Sequence, residues 1–184
     1  SITCDVPCRT LEGVDWELIL RNISGNILFI DEENAFIRTE QFALAVRNSD
    51  NYFVIVTRES LYNLPYSVDE IYGIHSSGKY QSTKRIYQQL YKIYSKTEQF
   101  PITPERLVVE DSNAGYEFFK DIAEKSGIKC DSAAGKSKLF ACLNKIEEET
   151  CVVADGAAIG AEMEKLYGLS LRRKNIKLYL PESF

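Results

Sequence analysis

The sequence predicts an α/β fold, with mainly parallel sheets and flanking helices, arranged as two small subdomains. Three observations carry this expectation. Short, continuous, β-rich apolar runs ("NILFI", "NYFVIV", "RLVVED", "TCVVAD") are of the kind expected for strands buried on both faces. Between them lie segments with apolar residues at helical spacing, and strand–helix–strand crossovers of this length favour parallel pairing. Around "SKTEQFPITPE", Ser95 to Glu105, the apolar periodicity lapses and two prolines fall close together, as at a domain junction. The expected division is therefore 1–97 and 105–184.

In the first half, "NILFI" and "NYFVIV" are strands, and Phe42, Ala45 and Val46 recur between them at helical spacing. Pro65 breaks the "LYNLPYSVDEIYGI" segment, and "EIYGIHSSGKY" reads as a strand entering a Gly/Ser turn. "RIYQQLYKIY" fits two descriptions: Tyr87, Tyr91 and Tyr94 suit a helical face, while its Tyr/Ile content suits a strand. In the second half "RLVVED" is a strand, and Phe119, Ile122 and Ala123 mark a helix that Ser112 or Asn113 would cap. "GIKC" is a short strand. Leu139, Cys142, Leu143 and Ile146 mark a second helix, "TCVVAD" a third strand, and Ile159, Met163, Leu166 and Tyr167 a third helix. "NIKLYL" closes the series with the alternation of a partly exposed edge strand, giving a layered sheet of four strands separated by three helices. The chain begins without methionine and stops directly after a strand, so it reads as a fragment.

Composition narrows the function classes. With 184 residues, 45% of them hydrophobic and 27% charged, the chain is an ordinary globular protein able to build a core. No apolar run approaches the ~20 residues of a membrane-spanning helix, and "SITCDVPCRT" lacks the layout of a signal peptide, so a cytoplasmic setting is expected. The five cysteines are odd in number and sit mostly in apolar stretches, as reduced thiols do. Cys4 and Cys8 have no second cysteine pair nearby and the chain holds one histidine, His75, which argues against zinc. A net charge of −5, with −3 before Phe100 and −2 from Phe100 onward, argues against broad attraction to nucleic acid. The local run Arg172, Arg173, Lys174, with Lys177, is the candidate phosphate contact. Tyrosines 52, 62, 66, 72, 80, 87, 91 and 94 crowd the first half; they pack with wet hydroxyls, or form a surface for a protein partner or self-association.

Two sets of carboxylates carry the chemistry. An apolar run ending in Asp31 and Glu32 is the way many nucleotide-hydrolysing domains place magnesium. The loop that would cradle the phosphates, G-x-x-x-x-G-K-[ST], is absent: "CDSAAGKS" ends correctly in Gly135, Lys136 and Ser137 but has Cys130 at the first glycine and lies far downstream of Asp31. In the second half Glu110 and Asp111 end the first strand and Asp155 ends the third. Parallel strands bring such residues to one edge, where hard oxygen ligands suit Mg²⁺ or Mn²⁺, and Lys136 is placed to meet a phosphate.

At these residues two resemblances appear. "ILFIDE" resembles the Walker B strand of P-loop ATPases, in which the position of Asp31 helps hold Mg²⁺ and that of Glu32 polarises water. "YFVIVTR" is similar to the neighbouring strand, which implies that Thr57 and Arg58 sense the terminal phosphate; the likeness spans about residues 26 to 60. It implies ATP as a ligand only where an upstream phosphate loop exists. "VVEDSNAGYEFF" and "VVADGAAIG" resemble the TOPRIM domain of topoisomerases, primases and OLD-family nucleases, which implies a metal site of Glu110, Asp155 and a second aspartate. That aspartate falls at Ala157, which cannot bind metal; Asp111 or Glu182 is the substitute. An ATPase-like region before a TOPRIM-like one resembles the OLD arrangement, and implies a divalent-metal-dependent phosphotransferase or nuclease acting on nucleic acid. The competing expectation is a non-catalytic binding or regulatory protein on the same folds.

Overall fold

The computed structural model describes residues 5–11, 13, 15–77, 86–95 and 103–182. The chain is α/β and divides into two compact units, Ser1–Pro65 and Tyr66–Phe184. The sequence lapse at Ser95–Glu105 lies downstream of this division and partly outside the described residues, as do Cys4 and Tyr80 with the turn expected after Ser77. The division falls earlier than the lapse because Val68, Ile71 and Tyr94 pack on the core of the second unit.

In the first unit β1 (Cys8–Thr10), β2 (Ile27–Asp31) and β3 (Tyr52–Val56) form a parallel sheet in that order. Strands β2 and β3 are the two apolar runs of the sequence. The crossover between them carries α2 (Glu40–Arg47), started by the Thr39 hydroxyl, which accepts from the Phe42 N–H at 3.2 Å. Helix α1 (Trp16–Asn22) precedes β2. Alternation along β2 sends Leu28 and Ile30 into the core, where Phe42 is fully buried. Its ring meets Trp16 (5.5 Å), Phe36 (5.2 Å) and Phe53 (6.0 Å) edge-on, the geometry that aromatic quadrupoles favour. Neither β1 nor α1 shows in the periodicity, since one has three residues, all exposed, and the other seven.

In the second unit β4 (Tyr72–Ser77) and β5 (Ile86–Lys92) pair antiparallel as a separate two-stranded sheet. Within the ambiguous "RIYQQLYKIY" segment, Ile86 to Lys92 is thus a strand. The remaining elements follow the expected series: β6 (Arg106–Val109), α3 (Ala114–Lys125), β7 (Lys129–Ser132), α4 (Lys136–Leu143), β8 (Thr150–Val153), α5 (Met163–Arg172) and β9 (Ile176–Tyr179). All four strands run parallel in the order β7-β6-β8-β9, so β9 is an edge. Val108, Val152, Leu139, Leu143, Leu166 and Ile176 form the centre of the core. The α3 stripe is less buried than its periodicity suggests: Ala123 is covered, whereas Phe118 and Ile122 are exposed. No described helix is long and apolar enough to cross a membrane.

Candidate functional site

Parallel β2 and β3 end side by side, with Asp31 opposite Val56 in register, and this brings the residues that follow them together on one rim of the first unit. Asp31 is exposed, and one of its oxygens accepts from the Glu32 N–H at 2.6 Å. Glu32 turns to Arg58: its two oxygens receive the Arg58 backbone N–H at 3.1 Å and the Arg58 Nε at 3.2 Å. The guanidinium is almost fully exposed, so this pair is a weak tie in water. The Thr57 hydroxyl exchanges hydrogen bonds with the backbone of Glu59, and the Glu59 carboxylate in turn accepts from Arg38 Nε at 3.0 Å. Asn34 donates to the Asp31 carbonyl at 3.1 Å and accepts the Gly13 N–H, fastening the turn after β2. Asp31, Glu32, Thr57 and Arg58 therefore share one rim, with Glu32 and Arg58 in direct contact.

The second rim lies at the carboxyl ends of β7, β6 and β8. Val109 stands opposite both Ser132 and Val153 in register, so Glu110, the turn after Ala133 and Asp155 leave the sheet at one end. The Glu110 N–H continues the ladder onto the Val153 carbonyl at 2.9 Å, and the Glu110 carbonyl receives the Gly135 N–H at 2.8 Å. Ala134 (φ 56°) and Gly135 (φ 110°) reverse the chain there, and α4 starts at Lys136. Lys136 reaches across the rim, its Nζ donating to the Ala158 carbonyl at 2.9 Å, which fastens the loop after β8. In that loop one Asp155 oxygen accepts the Ala157 N–H at 3.0 Å.

The other acidic side chains have structural partners. Asp111 accepts the Ser112 N–H at 2.7 Å with one oxygen and the Gly115 N–H at 3.0 Å with the other, so it starts α3 in the role expected of Ser112 or Asn113. These backbone donors, Ser112 first, hold its carboxyl below the usual range. Glu182 accepts the Ser67 hydroxyl at 2.7 Å.

Glu162, which the motifs do not point to, is different. It is 7% exposed, and its Oε2 is buried with no hydrogen-bond partner. Burial pushes its carboxyl up first of all, the Lys136 charge pulls it down, and the Glu110 charge adds to the rise. The signal was present in the spacing. Ile159, Glu162, Leu166 and Leu169 follow one another three or four residues apart, which puts a carboxylate on a stripe otherwise apolar and buried.

Among the described residues no three histidine, cysteine, aspartate or glutamate side chains stand together closely enough to hold a metal ion. The thiols of Cys130, Cys142 and Cys151 are raised by burial, the wrong direction for a nucleophile. Of the basic run, Arg173 is used internally: it donates to the carbonyls of Leu143, Asn144 and Ile146 at and just beyond the end of α4, while Arg172 and Lys174 are exposed. Tyr52, Tyr62, Tyr72 and Tyr91 are exposed, and Tyr94 packs on Tyr167 with ring centres 5.2 Å apart. A shallow depression lined by Lys145, Glu147 and Glu148 precedes β8, at the opposite end of the sheet from the carboxylates.

No family model, curated protein or solved structure matches the chain.

Proposed function

We propose that the second unit is a divalent-metal-dependent phosphotransfer or nuclease module acting on nucleic acid in the cytoplasm, governed by a P-loop-like first unit. The observation that carries this reading is the parallel pairing of β6 and β8, which sends Glu110 and Asp155 off adjacent strands at one end of the sheet. Carboxylate oxygens suit Mg²⁺ or Mn²⁺, which would neutralise charge on a transferring phosphoryl group. Lys136, whose Nζ reaches the Ala158 carbonyl in the loop that carries Asp155, supplies a cation that a phosphate would meet. ATP belongs to the reading only together with a phosphate loop, which this sequence lacks. The proximity of Asp31 and Glu32 to Thr57 and Arg58 supports the nucleotide-responsive role of the first unit.

The test is Mn²⁺ affinity of the full chain. Glu110→Gln and Asp155→Asn are each expected to abolish binding, and unchanged affinity in both removes the site. A second reading, a non-catalytic binding or regulatory protein, is favoured by Ala157 and by the lack of three convergent ligands among the described residues. It predicts no cleavage of DNA or RNA under any combination of metal and nucleotide.

A further inference from the structure

The parallel sheet of the first unit leaves two demands unmet. Strand β3 pairs with β2 on one side and with no described strand on the other. The Tyr52 N–H donates to the Asn26 carbonyl at 2.8 Å, so Tyr52, Val54 and Val56 serve the ladder to β2 while the N–H and C=O groups of Phe53 and Ile55 face the open edge. Such an edge is a template for another strand, and chains ordinarily blunt it with a charge, a proline or short length. The opposite edge is blunted in this way: β1 has three residues, Arg9 among them, and follows Pro7. Strand β3 is not, since its sequence, YFVIV, carries neither charge nor proline. The second demand is the face of the sheet turned away from Phe42. Phe53 and Ile55 share the core face with Leu28 and Ile30 by register, and Phe53 meets the Phe42 ring. Tyr52, Val54 and Val56 lie on the other face beside Ile27 and Phe29, and are 67%, 42% and 49% exposed, although parallel sheets are ordinarily covered on both sides.

We propose that the open edge is filled by β3 of a second copy of this chain, paired antiparallel across a two-fold axis at Val54. The strand is its own complement in that register. Phe53 stands opposite Ile55 of the second copy, and each such pair exchanges both N–H···O bonds through the groups that face the open edge. Val54 meets Val54, and Tyr52 meets Val56, as the closer pairs without hydrogen bonds, which joins the two bare apolar faces side by side. Charge selects this occupant and this direction. The same register carries Asp50 to Arg58 of the second copy at both ends of the paired strands. Both residues are exposed, and Arg58 is almost fully so despite its contact with Glu32. A parallel pairing in register would instead set Asp50 against Asp50 and Arg58 against Arg58, like against like. Because the contact is isologous, it consumes both β3 edges and closes at the dimer.

The experiment is sedimentation velocity of the full chain over a range of concentrations, with thermal melting alongside. The wild-type chain is expected to sediment as a dimer at about 100 μM and to dissociate on dilution. Val54→Lys sets like charges face to face at the axis and is expected to weaken the dimer at least about tenfold. Asp50→Arg is expected to weaken it about tenfold, and its combination with Arg58→Asp to recover most of that loss, because this register alone brings the two positions together. The charge exchange lies outside β3, so it answers whether or not the Val54→Lys chain folds. A wild-type chain that stays monomeric at about 100 μM overturns the proposal and leaves the edge to a strand from a different protein. A dimer that keeps its affinity in a folded Val54→Lys chain is built on another surface and overturns it too. So does a double variant that associates no more tightly than Asp50→Arg alone.

Discussion

Phe42→Ala probes the core that supports the first rim. The ring is fully buried between α2 and the sheet, in edge contact with Trp16, Phe36 and Phe53. Truncation removes its transfer free energy and leaves a cavity whose walls come from three separate segments, so it cannot simply collapse. Such changes cost about 3–5 kcal/mol. The three aromatic contacts, each worth about 0.5–1.5 kcal/mol beyond buried area, place this site toward the upper end. Against a total stability of about 5–15 kcal/mol, that is a large fraction. Trp16 is the chain's single tryptophan and stacks on Phe36 at 5.2 Å, so its fluorescence reports on this core. A urea titration followed by that signal is expected to shift its midpoint down by about 1–5 M, given a slope of about 1–3 kcal/mol/M. A loss below about 1 kcal/mol would refute the packing described, because a fully enclosed phenylalanine cannot be removed so cheaply.

Three further outcomes are expected. Glu148 is held down to about 2 by its own backbone N–H and by the Arg106 guanidinium, whose Nη2 lies 2.9 Å away. A depressed carboxyl contributes stability that is complete above its unfolded value, 4.5, and is lost as pH falls from there through about 2; Glu148→Gln should flatten that part of the acid denaturation curve, and an unchanged slope would count against the pair. Gly156→Ala would bring a Cβ within 2.7 Å of the Leu180 carbonyl and 2.9 Å of the Pro181 carbonyl, both backbone, so a loss of about 1–3 kcal/mol is expected in thermal melts. Thr39→Ala removes the acceptor at the start of α2 and should cost about 1 kcal/mol by the fluorescence assay, with Thr39→Ser nearly neutral.

The strands were legible where burial on both faces leaves an unbroken apolar run, as in Leu107–Val109 and Cys151–Val153, and the parallel pairing, though not the strand order, followed from the helices between them. Short elements without a buried face left no trace; β1 is the example. The segment before Lys92 was ambiguous because tyrosines at positions 87, 91 and 94 satisfy a helical stripe while their β propensity satisfies a strand, and only pairing with β4 decides. Packing of Val68, Ile71 and Tyr94 on the second core is a long-range property that local composition does not encode. The rim residues Glu110, Lys136 and Asp155 were found by their place after strands. Glu162 follows no strand end; its only mark in the sequence is a single charge inside an apolar stripe.

The hydrogen bond from Lys136 to Ala158 has a practical bearing on mutagenesis. Replacing this lysine withdraws a positive charge and unfastens the segment carrying Asp155 in one stroke. A dead alanine variant would thus be uninformative about chemistry, and arginine, which retains the charge and the capacity to donate, is the sharper substitution.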